Sequence, residues 1–150
     1  RKGDVVRMIK EYNPIILGTQ EVLINQRDYL RDELNYQCVG VGRVDGNDDG
    51  EFNPIYYQKE EIHCIESGTF WLSRSPYSPG SKIESSSLPR ICTWAKFEEF
   101  NCQSIFYVFN THLDHTSSSA RMEQSTILLE QISKIAGLHP SILMGDFNSE

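Results

Sequence analysis

The stretch Ser141-Ile142-Leu143-Met144-Gly145-Asp146-Phe147-Asn148 decides how this chain is read. A short apolar run ends in a glycine, and an aspartate and an asparagine follow, two residues apart. In that order a buried strand presents a carboxylate and an amide at its carboxyl end. Two segments upstream repeat the pattern: Ile15-Ile16-Leu17-Gly18-Thr19-Gln20-Glu21, and Ile105-Phe106-Tyr107-Val108-Phe109-Asn110-Thr111-His112-Leu113-Asp114-His115. Each runs apolar and then ends in groups able to bind metal or phosphate. Three such ends meeting at one place would make an active site.

The elements between them place these ends in a fold. Asp4 to Tyr12 reads as a helix, with Asp4 as its cap and Val5, Met8, Ile9 and Tyr12 at helical spacing. Asn13-Pro14 stops it. Asn25 to Leu34 reads as a second helix. Tyr36–Val41, Asn53–Gln58, Ile62–Leu72 and Ile91–Phe97 read as strands, and Ser73–Leu88 as a long surface loop. Ile105 to Phe109 is apolar at every position, so this strand is expected to be covered on both faces. Ser119 to Ala136 is the longest helix, with Ile127, Leu128, Ile132 and Ile135 as its inner stripe. Strands dominate the middle and helices flank it. Two packed sheets with outer helices fit that order, in a single domain over 1–150.

Composition narrows the function. The 150 residues suit one domain with a real core. No apolar run approaches the roughly 20 residues needed to cross a bilayer. The formal net charge of −7 gives little general attraction to polyanions, although a bound cation would make a site locally attractive to phosphate. Cys38, Cys64, Cys92 and Cys102 are widely spaced and read as free thiols. The acidic run Asp45–Gly50 reads as a solvated turn, since no calcium-loop pattern accompanies it. The chain begins at Arg1, and compartment is unknown.

Each candidate group has a bland reading beside the chemical one. Glu21 follows a strand with no basic neighbour, which suits a hard cation such as magnesium; the alternative is a surface glutamate. His112 ends the most apolar strand and is either a structural histidine or a group that stabilises phosphoryl charge. Asp146 can align or deprotonate a water, and Asn148 can hold a phosphate oxygen or position Asp146; both also suit a turn. Arg90, after Pro89, binds a substrate phosphate or an ordinary carboxylate. Glu51 is a further acidic group placed near the site.

Gln20-Glu21, Ile55-Tyr56-Tyr57, Asn110-Thr111-His112-Leu113 and Gly145-Asp146-Phe147-Asn148 occur in the order found in the endonuclease/exonuclease/phosphatase superfamily, the DNase-like metallohydrolases, which this chain resembles over nearly its whole length. Gly68-Thr69-Phe70-Trp71-Leu72-Ser73 and Leu88-Pro89-Arg90-Ile91-Cys92-Thr93-Trp94 resemble a subgroup of small, mostly bacterial members. The resemblance implies an α/β fold of the α+β type: a four-layer sandwich, two mixed β-sheets flanked by helices, here incomplete at both ends. It implies divalent-metal-dependent cleavage of a phosphate ester by water attack at phosphorus, with Mg2+ or alternatively Mn2+. Glu21 matches the metal-binding glutamate and His112 the histidine on the scissile phosphate. Asp146 and Asn148 match the pair that positions water and phosphate. Glu51, Arg90, Asp114 and His115 are carried as substrate-binding candidates.

The family domain usually opens with a strand bearing an Asn in the site and closes with an Asp-His pair beyond Gly-Asp-x-Asn, and this sequence has neither. The chain is therefore expected to be part of a domain, monomeric, and poorly active alone. That leaves open whether the general base is Asp146 or a histidine beyond the end. The expected substrate is a small phosphodiester or a nucleic acid, the acidic balance favouring the former. The rival expectation is a catalytically inactive family-like scaffold, or a truncated relic, that binds a partner.

Overall fold

The computed structural model describes residues 1–149. Its elements run α1 (Lys2–Tyr12), β1 (Ile16–Gly18), α2 (Ile24–Leu34), β2 (Gln37–Val39), β3 (Ile55–Tyr57), β4 (Ile62–Trp71), β5 (Ile91–Glu99), β6 (Ile105–His112), α3 (Ser118–Ala136) and β7 (Ser141–Asp146). Two sheets form, ordered β1-β3-β2 and β4-β5-β6-β7. Three apolar clusters stack them into four layers. Val6, Ile9, Leu34, Tyr36 and Tyr56 join α1 and α2 to the smaller sheet. Ile55, Ile62, Ala95, Phe97 and Val108 fill the space between the sheets. Phe70, Leu72, Cys92, Phe109 and Leu128 join the larger sheet to α3. Each fully buried large apolar side chain contributes about 1.5–3 kcal/mol, so these interfaces set the architecture.

Alternation along β6 explains the layering. Val108, Asn110 and His112 point between the sheets, and Tyr107 and Phe109 point toward α3. β6 lies inside its sheet, antiparallel to β5 and parallel to β7, so it is covered as its composition predicts. The larger sheet is thus mixed. The smaller sheet is antiparallel in all its pairings, a correction to the expectation of two mixed sheets. Its physical reason is that β3 inserts between β1 and β2, which run parallel to one another on either side of it, joined by the α2 crossover.

Other expectations shift at the level of single faces. α1 starts at Lys2, and Asp4 lies in the first turn, pairing with Arg7 at 2.8 Å rather than capping. Its buried residues are Val6 and Ile9, while Val5, Met8 and Tyr12 are exposed. α3 turns Ala120, Gln124, Leu128, Gln131 and Ala136 inward, with Ile132 and Ile135 at the margin. The glutamines belong inside because they bond to other segments: Gln124 Oε1 accepts from Asp114 N at 2.8 Å, and Gln131 Oε1 accepts from Tyr77 Oη at 2.9 Å. β7 is an edge strand with Ile142 and Leu143 exposed, not the buried strand its composition suggests. No helix among the described residues is long and apolar enough to cross a membrane.

Candidate functional site

The three strand ends converge. His112, the last residue of β6, is 5% exposed, and its Nε2 lies 4.0 Å from Glu21 Oε1 and 3.9 Å from Asp146 Oδ2. Glu21 and Asp146 are 70% and 51% exposed, so one sheltered imidazole stands between two carboxylates open to solvent. His112 and Asp146 are register partners in the parallel pair β6–β7, which sets their spacing. Burial, and then the positive charge of Arg90, push the His112 imidazole below its ordinary pKa, against the pull of Asp146 and Glu21. The imidazole is therefore neutral at pH 7 and offers one N–H to an acceptor.

Gly145 explains why a glycine must precede Asp146. Its φ is +150°, and a β-carbon there would collide with the backbone carbonyl oxygen of Thr111 on β6. Glu21 carries a φ of +59°, a left-handed conformation that costs a residue with a β-carbon about 1–2 kcal/mol. Its neighbours are tied down. Val22 and Phe52 exchange backbone hydrogen bonds, and Thr19 N donates to Pro54 O at 3.3 Å. Gln20 Nε2 donates to Asn110 Oδ1 at 2.7 Å, and Asn110 Nδ2 donates to Thr19 O and Pro54 O, each at 2.9 Å.

Asn148 is not extended beside Asp146. It is left-handed, with φ +49°; its backbone N donates to Asp146 Oδ1 at 2.9 Å and its Nδ2 donates to Leu113 O at 3.0 Å. It closes a turn that fixes the carboxylate of Asp146. Asp114 is corrected as a substrate contact, because it is fully buried and both its oxygens are used. Oδ1 accepts from Thr116 N, Thr116 Oγ1 and Ser117 N, and Oδ2 from Ser86 Oγ, Ser87 N and Ser87 Oγ. Burial opposes its ionisation, yet hydrogen bonds from Ser117, Thr116 and Ser86 hold its carboxyl well below the usual carboxylate range. Asp114 is a hub that ties the 73–88 loop and the start of α3 to the strand end.

Arg90 is 3% exposed. Its Nη2 lies 2.9 Å from His115 Nδ1, and its Nε has no hydrogen-bond partner among the described residues. Burial, and then Arg43, lower its pKa, while Asp114, Glu51 and Glu21 act in the opposite sense. Glu51 is nearby but engaged, with Oε2 2.6 Å from Arg43 Nη1. A buried guanidinium without a carboxylate in contact among the described residues is short of an anion. Composition alone does not single out Arg43, Ser86, Ser87 or Gln124, which complete this arrangement. The one signal is Gln124, a helical turn before Leu128 on the inner face of α3.

Among the described residues, no group of three or more histidine, cysteine, aspartate or glutamate side chains is placed to hold a metal ion. A hard cation of the magnesium type asks for less: one or two carboxylates, with water and phosphate completing the shell. Glu21 and Asp146, exposed and flanking one imidazole, fit that demand.

Comparison with known proteins agrees with this fold. The family model described as Endonuclease/Exonuclease/phosphatase family matches residues 1–150. An endonuclease/exonuclease/phosphatase from Bacteroides vulgatus superimposes with a TM-score of 0.96 at 40% identity, covering 99% of this chain and 57% of its own. A mannosyl-6-phosphatase from Bacteroides thetaiotaomicron gives 0.93 at 36% identity, covering 99% and 56%. TDP2 from D. rerio, complexed with a single-stranded DNA product, gives 0.78 at 21% identity, covering 99% and 54%, and shares the fold alone. The chain thus spans little more than half the length of these structures. No curated protein matches the sequence. Strand order, converging carboxylates and matched sequence lead to one assignment: the chain belongs to the endonuclease/exonuclease/phosphatase family.

Proposed function

We propose that this chain is the part of a longer phosphate-ester hydrolase that carries Glu21, His112 and Asp146, and that the whole protein depends on a divalent cation. The observation that carries the reading is the placement of Glu21 and Asp146 within 4.0 Å of one sheltered imidazole. Glu21 would hold the cation, Mg2+ or Mn2+, with Asp146 beside it. When bound, the ion neutralises charge on the non-bridging phosphoryl oxygens. His112 donates its N–H to one of those oxygens and stabilises the charge that builds there. Asp146, held through the backbone N–H of Asn148, accepts a hydrogen bond from the attacking water and orients it in line. The water oxygen bonds to phosphorus, the ester P–O bond breaks, and the water proton leaves through Asp146 toward the departing alkoxide. Arg90 and His115 supply positive charge and a donor for the substrate phosphate.

The proposed substrate is a small, hydroxylated phosphate ester. The loop anchored on Asp114 borders an open cleft of about 500 Å³ whose polar lining includes Ser73, Ser75, Ser81, Ser85, Lys82, Glu84 and the Arg74–Glu123 pair; Glu21, His112 and Asp146 do not line it. The relative at 36% identity is a mannosyl-6-phosphatase. The test is hydrolysis of p-nitrophenyl phosphate and its bis ester by the whole protein, with and without chelator. Turnover restored by Mg2+ and lost in Glu21→Gln is expected; chelator-resistant turnover would sink the metal assignment. A polyanionic substrate would show steep salt dependence, and a small ester a shallow one.

A further inference from the structure

We infer that Asn110 and Gln20 are positioning residues that set Glu21 for its cation, and that they act as one clamp. The inference rests on the reading of Glu21 as the ion-holding group. Asn110 uses its whole amide: Nδ2 donates to Thr19 O and Pro54 O, and Oδ1 accepts from Gln20 Nε2. It lies on β6 two residues before His112 and on the same face. One fully buried side chain therefore links the strand of His112 to both residues that lead into Glu21. Phe52 fixes the residue that follows, through its hydrogen bonds with Val22. Glu21, between these anchors, is left in the left-handed conformation with φ +59° and its carboxylate exposed. Among the described residues, no lysine or arginine pairs with that carboxylate and His112 stands 4.0 Å from it, so the backbone bonds of its neighbours hold the conformation of Glu21.

Two roles are open to such a network. It holds the two sheets together, or it also holds Glu21 in place. Gln20 separates them. Its amide is half-buried, it bonds to Asn110 alone among the described residues, and it bridges no sheet-to-sheet apolar contact. Removing it unlocks the loop while Asn110 keeps both carbonyl bonds. A structural role predicts little change in anything; a positioning role predicts weaker ion capture in a chain that melts as before.

The experiment is a Mn2+ titration of the whole protein that contains this chain, read as paramagnetic broadening of backbone amide signals, with thermal melting beside it. In the unaltered protein, broadening centred on residues 20–22, 112 and 146 is expected, and it should vanish in Glu21→Gln. Gln20→Ala should weaken Mn2+ binding about 10- to 100-fold, the usual effect of losing a group that orients a ligand, with the melting temperature unmoved. Asn110→Asp, which keeps the acceptor for Gln20 and loses both donors, should weaken binding at least as far; if it does not fold, Gln20→Ala still decides. Focused binding that Gln20→Ala leaves intact overturns the clamp alone. Absence of focused broadening in the unaltered protein, or its survival in Glu21→Gln, overturns the metal reading and the clamp with it.

Discussion

Gly18 faces Met144 across the gap between the sheets so closely that a β-carbon at residue 18 would stand 2.6 Å from Met144 Cε, and 3.0 Å from Asn110 Cγ. The Met144 end is flexible and can swing aside, whereas Asn110 is held by three hydrogen bonds. Gly18→Ala should cost about 1–3 kcal/mol, the usual range for overpacking. Gly145→Ala should cost more, because the obstacle is the Thr111 backbone and φ is positive. Urea unfolding of both variants checks the order; Gly145→Ala matching the unaltered chain would contradict the strand-end geometry.

His112→Ala and Asp146→Asn should each lower turnover of the whole protein about 10²- to 10⁴-fold. Asp146→Asn keeps an oxygen for the Asn148 N–H, so its circular dichroism should be unchanged. Full turnover in Asp146→Asn would move the general base elsewhere.

Asp114 makes stability depend on acid. Its folded pKa is depressed below the roughly 3.9 of an unfolded aspartate. Its contribution is therefore complete above that value and is lost as pH falls through the folded pKa. Asp114→Asn should destabilise the chain by about 3 kcal/mol at pH 7, from the lost hydrogen bonds to a charged acceptor. The gap between the two chains should narrow as pH falls from about 5 toward 2. Denaturant midpoints across that range decide it; a gap independent of pH would rule out the charged hub.

Thiol alkylation should report the fold. Cys102 is exposed, Cys92 is fully buried, and burial pushes the Cys38 thiol up to about 12. The thiolate is the reactive form. Iodoacetamide at pH 7.5 should modify Cys102 first and Cys92 only after denaturation, read by peptide mass. Early modification of Cys92 would mean that α3 does not cover the larger sheet.

The strand ends are legible because each pairs an unbroken apolar run with an abrupt polar finish, a pattern that burial enforces in β6 and that β7 carries although Ile142 and Leu143 are exposed. Glu21, His112 and Asp146 could be named that way. Asp114 could not be separated from them, since a carboxylate after a strand looks the same whether it faces solvent or six donors. The inner face of α3 was misjudged for a related reason: Gln124 and Gln131 are inside because distant loop groups require them, and helical spacing records only apolar preference. The left-handed turn at Asn148 was also hidden. Extended and turned backbones both accept Asp-x-Asn, and only the hydrogen bond back to Asp146 chooses between them.

The loop from Ser73 to Leu88 is fastened to α3 and the strand end chiefly by Tyr77, Ser86 and Ser87, through hydrogen bonds to Gln131, Asp114 and Gln124. Polar fastenings of this kind work like removable pins. A loop of different sequence that keeps those three residues and the buried Ile83 can be grafted between β4 and β5 while the apolar layers beneath stay as they are. The scaffold that holds Glu21, His112 and Asp146 then stays in place while the loop changes, by evolution or in the laboratory.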